Sequence, residues 1–512
     1  MREVALTKVT TPCGVIVGCN DEDSQVGVFR GIPYAKPPVG ELRWREPQPV
    51  EPWEGEYQAL KFGPMAMQFR QQEGSFYHRE WNANRMPMSE DCLYLNVWTP
   101  AKDPEEKLPV AVWIHGGGFR TGSGSAPAFD GYAYAKRGIV FVSFNYRLNG
   151  FGFLAHPELT AESEHHSSGN YGMLDQVCAL RWVKENIAAF GGDPQHITIF
   201  GQSSGAMSVQ TLVCSDLTRG NIQRAIMQSA GGLGISVARM TRTLETAEQR
   251  GEEYLNYMGL SSIEEARKMS AQWLCDQFAK SDAVYNVQMY FAPNVDGYAL
   301  KEDCNSIVRA GKHHDIPYIV GSTKNENWKT GKKSFDYHSF RSNMQELFGD
   351  ATDRFLEVVG ADSPERIQEY WINEFADHMY AGAAAWCTMQ DRLGRTPSYH
   401  YLFSHPLPGD DSGAFHGCEH GYVFQTLLRN WRPFTARDYE LSNRICDYWS
   451  NFMKTGNPNG EGLAEWTSYT EESPCAMEFG GRNEMFPYSG SPVSQFEKAF
   501  FQGDFKARKG AE

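Results

Sequence analysis

Between residues 109 and 230 the chain alternates short, uniformly apolar runs with longer segments of helical period, and this alternation restricts the possible folds more than any other feature. Residues 109–118 (PVAVWIHGGG) and 138–147 (GIVFVSFNYR) are rich in Val and Phe and have the length of strands. A strand with one wet face alternates apolar and polar residues; these runs do not, so both of their faces must be covered. Residues 173–190 carry Leu174, Val177, Leu180, Val183 and Ile187 at helical spacing, and Gly191 and Gly192 end the pattern. A short strand (196–200, HITIF), a glycine-serine turn, a helical segment (206–214) and another strand (224–230) follow. Strand and helix in alternation predict an α/β architecture, a large and mostly parallel sheet flanked by helices. Further strands are expected at 316–323 and 398–405, and an amphipathic helix at 436–459, ended by Gly456 and Pro458. With no repeat and no low-complexity linker, residues 1–512 read as one domain with insertions, and the charged end, 503–512, as a frayed tail.

The turn between the third strand and its helix reads FGQSSGA (200–206), in which Ser203 has Gly201 two residues before it and Gly205 two after. Alone, G-x-S-x-G is weak, since chance supplies roughly 0.3 matches in a chain with this much glycine. Its position is informative. A sharp strand-to-helix turn lifts a serine hydroxyl above the sheet, and flanking glycines remove side chains that would collide there. The other reading is a glycine-rich helix start with Ser203 as its N-cap. A second element favours the nucleophile: HGGGF (115–119) follows a predicted strand. Backbone N–H groups can approach a developing oxyanion closely only where side chains are absent, which nominates Gly117 and Gly118 as donors, with the N–H of Ser204 as a third.

These two motifs, in this order, resemble those of the type-B carboxylesterase and cholinesterase family of α/β-hydrolases. Residues 29–44 (FRGIPYAKPPVGELRW), 89–100 (SEDCLYLNVWTP), 145–154 (NYRLNGFGFL) and 169–194 are similar to family blocks, and the likeness spans residues 3–500. The resemblance implies an α/β-hydrolase fold whose long insertions form a gorge over the active site, and a serine esterase needing neither metal nor cofactor. A serine hydroxyl requires a histidine base, and that histidine an acid that fixes its tautomer, in the chain order serine, acid, histidine. Several of the fourteen histidines follow Ser203, so order alone does not choose among them. GAFHGCEHGYVF (413–424) resembles the family's histidine block, which implies His416, and IVGSTKNENW (319–328) resembles its glutamate-bearing segment, which implies Glu326, with Asp296 and Asp315 as competing acids. His420 and the pairs His165–His166 and His313–His314 are expected at the surface, and His115 is expected to shape the glycine loop. Phe119 and Trp328 are candidates for the gorge wall, with a core role as the alternative. The resemblance also implies two buried structural ion pairs, Arg43–Glu90 and Arg147–Asp175.

Two departures from the family matter. Secreted relatives bridge the cysteine of the EDC block to one upstream, yet here Cys92 faces Ala66 in the sequence pattern, and residues 215–274 contain no cysteine for a second bridge. Ser204 stands where many relatives carry alanine. The eleven cysteines show no C-x-x-C spacing, and with no apolar leader in the first residues a cytoplasmic, bacterial-type enzyme with reduced thiols is expected. A formal charge of -15 and the lack of a basic run argue against nucleic acid, and no apolar run is long enough to span a membrane. The expected partner is a small-molecule ester. Oligomeric state, monomer or homodimer, is left open. The rival functions are an amide, carbamate or thioester hydrolase with the same triad, and more remotely a non-catalytic adhesion or binding protein.

Overall fold

The computed structural model describes residues 4–21, 25–81, 86–234, 242–285, 289–326 and 337–505, and its centre is an 11-stranded mixed sheet. In chain order the strands are β1 (Cys19–Asn20), β2 (Gly27–Pro33), β3 (Tyr94–Thr99), β4 (Leu108–Ile114), β5 (Val140–Phe144) and β6 (Gly192–Gln202). They continue with β7 (Arg224–Gln228), β8 (Tyr318–Thr323), β9 (Ser398–Phe403), β10 (Cys475–Phe479) and β11 (Met485–Pro487). Across the sheet the order is β1-β2-β3-β5-β4-β6-β7-β8-β9-β10-β11. From β5 to β10 every neighbouring pair is parallel. The flanking pairs at both ends are antiparallel.

The uniform apolarity of the central strands resolves into two cores, because successive side chains of a strand point to opposite faces. Val110, Val112 and Ile114 of β4 enter one core, while Ala111 and Trp113 enter the other. The same division places Ala225 and Met227 of β7 opposite Ile226, and Tyr318 and Val320 of β8 opposite Ile319. Helices that supply the first core include α1 (Tyr171–Asn186), α2 (Ser204–Cys214) and α3 (Pro364–Arg392), through Val177, Leu180, Val183, Val209, Leu212 and Trp386. The second is closed by α4 (Ala436–Thr455), whose Leu441, Ile445, Tyr448, Trp449 and Phe452 are buried. These are the positions its period assigns to the apolar face.

Boundaries differ from the sequence pattern where local geometry intervenes. The helix expected over 173–190 starts at Tyr171 and ends at Asn186; a 3-10 turn, Ile187–Phe190, follows and stops at Gly191 with φ 78. The apolar spacing runs on because Ile187 and Phe190 are still buried after the helix has tightened. The strand expected at 196–200 extends to Gly192–Gln202.

Both structural ion pairs form. Arg147 Nε and Nη2 donate to the two oxygens of Asp175 at 2.8 and 2.7 Å, and Arg43 makes the same two-pronged contact with Glu90 at 2.6 Å on each arm. All eleven cysteines are free thiols, and Cys92 and Ala66 line one small cavity, where no bridge can form. Among the described residues no helix is long and apolar enough to cross a membrane. Most of the expected tail, from residue 506, lies outside the described residues.

Candidate active site

The candidate residues converge at the carboxyl ends of β4, β6, β8 and β9, where the parallel strands deliver their following loops to one edge of the sheet. Ser203 directly follows β6 and precedes α2, with φ 58 and ψ -131. A non-glycine residue holds such a conformation only where its surroundings over-determine it. They do so here by close approach: a Cβ on Gly205 would lie 2.1 Å from the Ile114 carbonyl oxygen, and one on Gly201 2.5 Å from the backbone of Gly205. Strand β4 and helix α2 therefore press on the turn from two sides. Ser203 N–H donates to Gln228 O at 2.9 Å, its carbonyl accepts Met207 N–H at 3.0 Å, and its side chain makes no capping bond. Among the described residues the hydroxyl has no hydrogen-bond partner, and the missing cap bond sets aside the N-cap reading.

Glu326 and His416, 90 residues apart, meet at 2.5 Å between Oε2 and Nδ1. Asn325 is what brings them together. Its N–H donates to Ala414 O at 2.9 Å, and its side-chain oxygen accepts the N–H of Ala414 at 3.0 Å, so the loops after β8 and β9 are stitched one residue before the acid and two before the histidine. The other carboxylate oxygen, Oε1, accepts the N–H of Thr323 at 2.7 Å, and Glu326 has no exposed side-chain surface. Burial draws the His416 imidazole down, but the Glu326 carboxylate and its hydrogen bond outweigh burial, leaving the ring above the ordinary histidine value.

The far nitrogen of His416 points to the elbow, where the Gln202 amide lies 3.2 Å from Nε2. With the amide N–H donating, Nε2 is a lone-pair acceptor and Nδ1 carries the proton donated to Glu326, the tautomer a base requires. Among the described residues Ser203 Oγ does not bond to the ring; catalytic contacts of this kind tighten when substrate arrives.

Beside the elbow runs the loop 115–119. Gly117 has φ 111, and a Cβ there would fall 2.1 Å from Thr121 O, so only glycine is accommodated. Among the described residues the N–H groups of Gly117, Gly118 and Ser204 donate to no protein acceptor. Ser204 follows Ser203 directly, a Cβ on Gly116 would lie 3.1 Å from the Ser203 Cβ, and the amino end of α2 adds its positive dipole end there. His115 is buried and stacked on Tyr146 at 4.5 Å between ring centres; burial pulls it down to about 4, so it is neutral and supports the loop.

Several expectations are corrected. Phe119, for which the sequence leaves gorge wall and core both open, is fully buried and packed edge-on against Phe153 at 5.2 Å, with a left-handed backbone (φ 58). His313, His314 and His420 are buried, not at the surface. His313 meets the Gln390 side chain at 2.7 Å, His314 meets Ser215 O at 3.2 Å, and His420 sits among the rings of Trp81, Trp113 and Phe129. His165 and His166 are exposed as expected. Asp296 accepts the N–H groups of Tyr298 and Leu300, and Asp315 holds Thr396, so both competing acids serve turns. Trp328 lies outside the described residues.

Three neighbours escape a reading of the sequence. Gln202 was legible only as the residue beside a motif serine. Phe375, at the middle of α3, places its ring 5.6 Å from that of His416, with no local signal to announce it. Glu419, three residues after His416, is buried with Ser229 Oγ at 3.4 Å; burial and then the Glu326 charge push it up to about 7.

The chain is similar to known proteins over most of its length. A family model described as "Carboxylesterase family" matches residues 5–494. The chain is 35% identical over 483 residues to a para-nitrobenzyl esterase of Bacillus subtilis (strain 168), covering 91% of this chain and 93% of that one. It is 32% identical over 488 residues to a fumonisin B1 esterase of Sphingopyxis macrogoltabida, covering 92% and 86%. The solved structure of a thermophilic PNB esterase superposes with a TM-score of 0.82 at 30% identity, over 97% of this chain and 99% of the other.

Proposed function

The chain belongs to the carboxylesterase family and is a carboxylic-ester hydrolase, and we propose that it cleaves small aryl and alkyl esters through an acyl-enzyme on Ser203. The observation that carries this reading is the His416–Glu326 pair, closed at 2.5 Å with the second ring nitrogen, Nε2, turned to Gln202 in an elbow whose serine hydroxyl makes no capping bond. In the first half-reaction Ser203 Oγ attacks the ester carbonyl as His416 Nε2 takes its proton. The buried Glu326 carboxylate holds the resulting imidazolium. The N–H groups of Gly117, Gly118 and Ser204 receive the negative oxygen of the tetrahedral intermediate, and His416 returns the proton to the departing alcohol. Water, deprotonated by the same imidazole, then releases the acid and restores Ser203.

A fluorophosphonate probe followed by peptide mass spectrometry tests the nucleophile, and p-nitrophenyl esters of rising chain length test the bond. One adduct per chain on Ser203 and turnover of the esters are expected. An adduct on Ser204, or turnover of amides and carbamates with none of the esters, would overturn the proposal.

The pH profile offers an independent check. The base must be neutral, so kcat/KM falls as pH drops through the His416 pKa, and the acid limb should lie above the ordinary histidine value of about 6.5. Glu326→Gln removes the charge that raises it while burial, which lowers it, stays. The limb should move to lower pH and the plateau should drop by about ten-thousand-fold. An unshifted limb would show that the carboxylate does not govern the base.

A further inference from the structure

The segment that carries His416 to the site folds around a single guanidinium. Arg432 stands three residues before Thr435, whose capping box opens α4, and its side chain has no exposed surface. Nη1 donates to Pro408 O and to Asp410 Oδ1, each at 2.9 Å, and Nη2 donates to Asp410 Oδ2 and to Ser412 Oγ, each at 3.1 Å. The guanidinium carbon lies 5.2 Å from the centre of the Phe415 ring. Pro408, Asp410, Ser412 and Phe415, all shortly before His416, thus touch one side chain. The rest of the fork reaches the helix Phe76–Trp81, where Nε and Nη2 each donate to a Glu80 oxygen at 2.9 Å, across 352 residues of chain. Phe76 of that helix packs edge-on against Phe415 at 4.8 Å. Glu80 is buried, with 1% of its side chain accessible, and balances the arginine; Asp410, at 22%, keeps some contact with solvent.

Such a cluster adds little net stability, because the desolvation of buried charges offsets most of their attraction. What it supplies is direction. A guanidinium is a planar fork of five donors at fixed angles, so it holds several acceptors in one arrangement, as a flexible ammonium cannot. The segment needs this, since residues 404–414 form no helix or strand and their path must be set by side-chain contacts. Asn325 ties Ala414 to the loop after β8. Arg432 fixes the path upstream of that tie and the ring of Phe415 beyond it.

We propose that Arg432 is a positioning residue for ester hydrolysis: by gathering residues 408–415 around its guanidinium, with Asp410 as the main handle, it sets how His416 meets Glu326 and the elbow. This rests on the reading of His416 as the base. Arg432 touches neither substrate nor the reacting atoms, so its effect passes through the placement of the imidazole. The Asn325–Ala414 tie survives when the fork is lost, and the expected defect is therefore partial.

The experiment measures kcat, KM and the pH profile for p-nitrophenyl acetate in wild type, Asp410→Ala and the double variant Glu80→Gln with Arg432→Met, with His416→Ala alongside. The double variant strands no buried charge and should fold even if the single one does not. In both, kcat should fall about tenfold with KM within about twofold, because a displaced base costs rate rather than binding. The Glu326 carboxylate and its hydrogen bond hold the ring above the ordinary histidine value, so a loosened contact should move the acid limb of kcat/KM to lower pH. The other groups facing the ring stay as they are: Glu419 on its own turn, the uncharged Gln202 amide from β6, Phe375 from α3, and His420, which burial keeps neutral. An unchanged kcat, or a fall in kcat with the limb unmoved, would overturn the positioning role. Activity retained in His416→Ala would instead overturn the base on which it rests.

Discussion

Ser203→Ala is expected to lower kcat/KM for p-nitrophenyl esters by about 10^5- to 10^6-fold, while leaving the far-ultraviolet spectrum and the denaturation midpoint unchanged. The two halves of that result have separate physical origins. The hydroxyl makes no capping bond to α2, and the turn is held instead by backbone bonds from Ser203 N–H to Gln228 O and from Met207 N–H to Ser203 O. Removing Oγ therefore disturbs no structural contact, and stability should move by no more than about 0.5 kcal/mol. Catalysis loses the covalent step altogether. What survives is the polarisation of the carbonyl by the loop and helix N–H groups, acting on attack by water, which accounts for a residual rate above the uncatalysed one. The measurement is a progress curve at high enzyme concentration, corrected for spontaneous hydrolysis. Loss of less than about tenfold would place the nucleophile elsewhere, with the adjacent Ser204 the first residue to examine.

The second large effect falls on stability. Arg147→Ala should reduce the free energy of unfolding by about 3–5 kcal/mol, read as a fall in the urea midpoint. Asp175 is completely buried in α1, and Arg147 supplies both of its charged hydrogen bonds; the Arg147 backbone N–H adds a third at 3.0 Å. The guanidinium also donates to Arg45 O at 2.8 Å, so the pair ties α1 and the segment after β5 to the N-terminal region. Truncating the arginine leaves a carboxylate with neither solvent nor cation, and that uncompensated charge dominates the loss. The diagnostic comparison is the double variant Arg147→Met with Asp175→Leu, which should recover most of the stability because no charge is stranded. The exposed pair Lys268–Glu264, with side chains 69% and 81% accessible, is the control: breaking it should leave the urea midpoint almost unmoved. A loss in Arg147→Ala no larger than that control would contradict the buried-charge argument.

Much of this architecture is legible in the residue order. Uniformly apolar runs of strand length specify strands covered on both faces, and the two cores that share β4, β7 and β8 follow from the two-residue period. The period of 436–459 likewise places Leu441, Ile445, Tyr448, Trp449 and Phe452 on the buried face of α4. The least legible residues are those whose burial is set by distant neighbours. A histidine pair such as His313–His314 carries no local mark of being buried, since its partners, Gln390 and Ser215, are 77 and 99 residues away. Phe119 is open for a related reason: its place after three glycines fits a wall or a core, and its packing on Phe153, distant in the chain, makes it core.

The candidate site divides in the same way. Ser203, Gly117 and Gly118 belong to local motifs whose backbone requirements, sharp turns and close approach, are written in glycine spacing. Glu326 and His416 are nominated by the resemblance of their segments to family blocks, together with chain order. That these two meet is decided by Asn325, whose bonds to Ala414 join loops that follow adjacent parallel strands. Gln202 against His416, Phe375 beside the same ring, and the Phe119–Ser204 and Tyr146–His115 bonds exist only in three dimensions. The sequence by itself determined which groups are present and how the chain turns at each of them, because those are short-range matters of sterics and period. Tertiary structure decided which groups touch, because side-chain hydrogen bonds require positioning to a few tenths of an ångström, and that is set by packing between elements far apart in the chain.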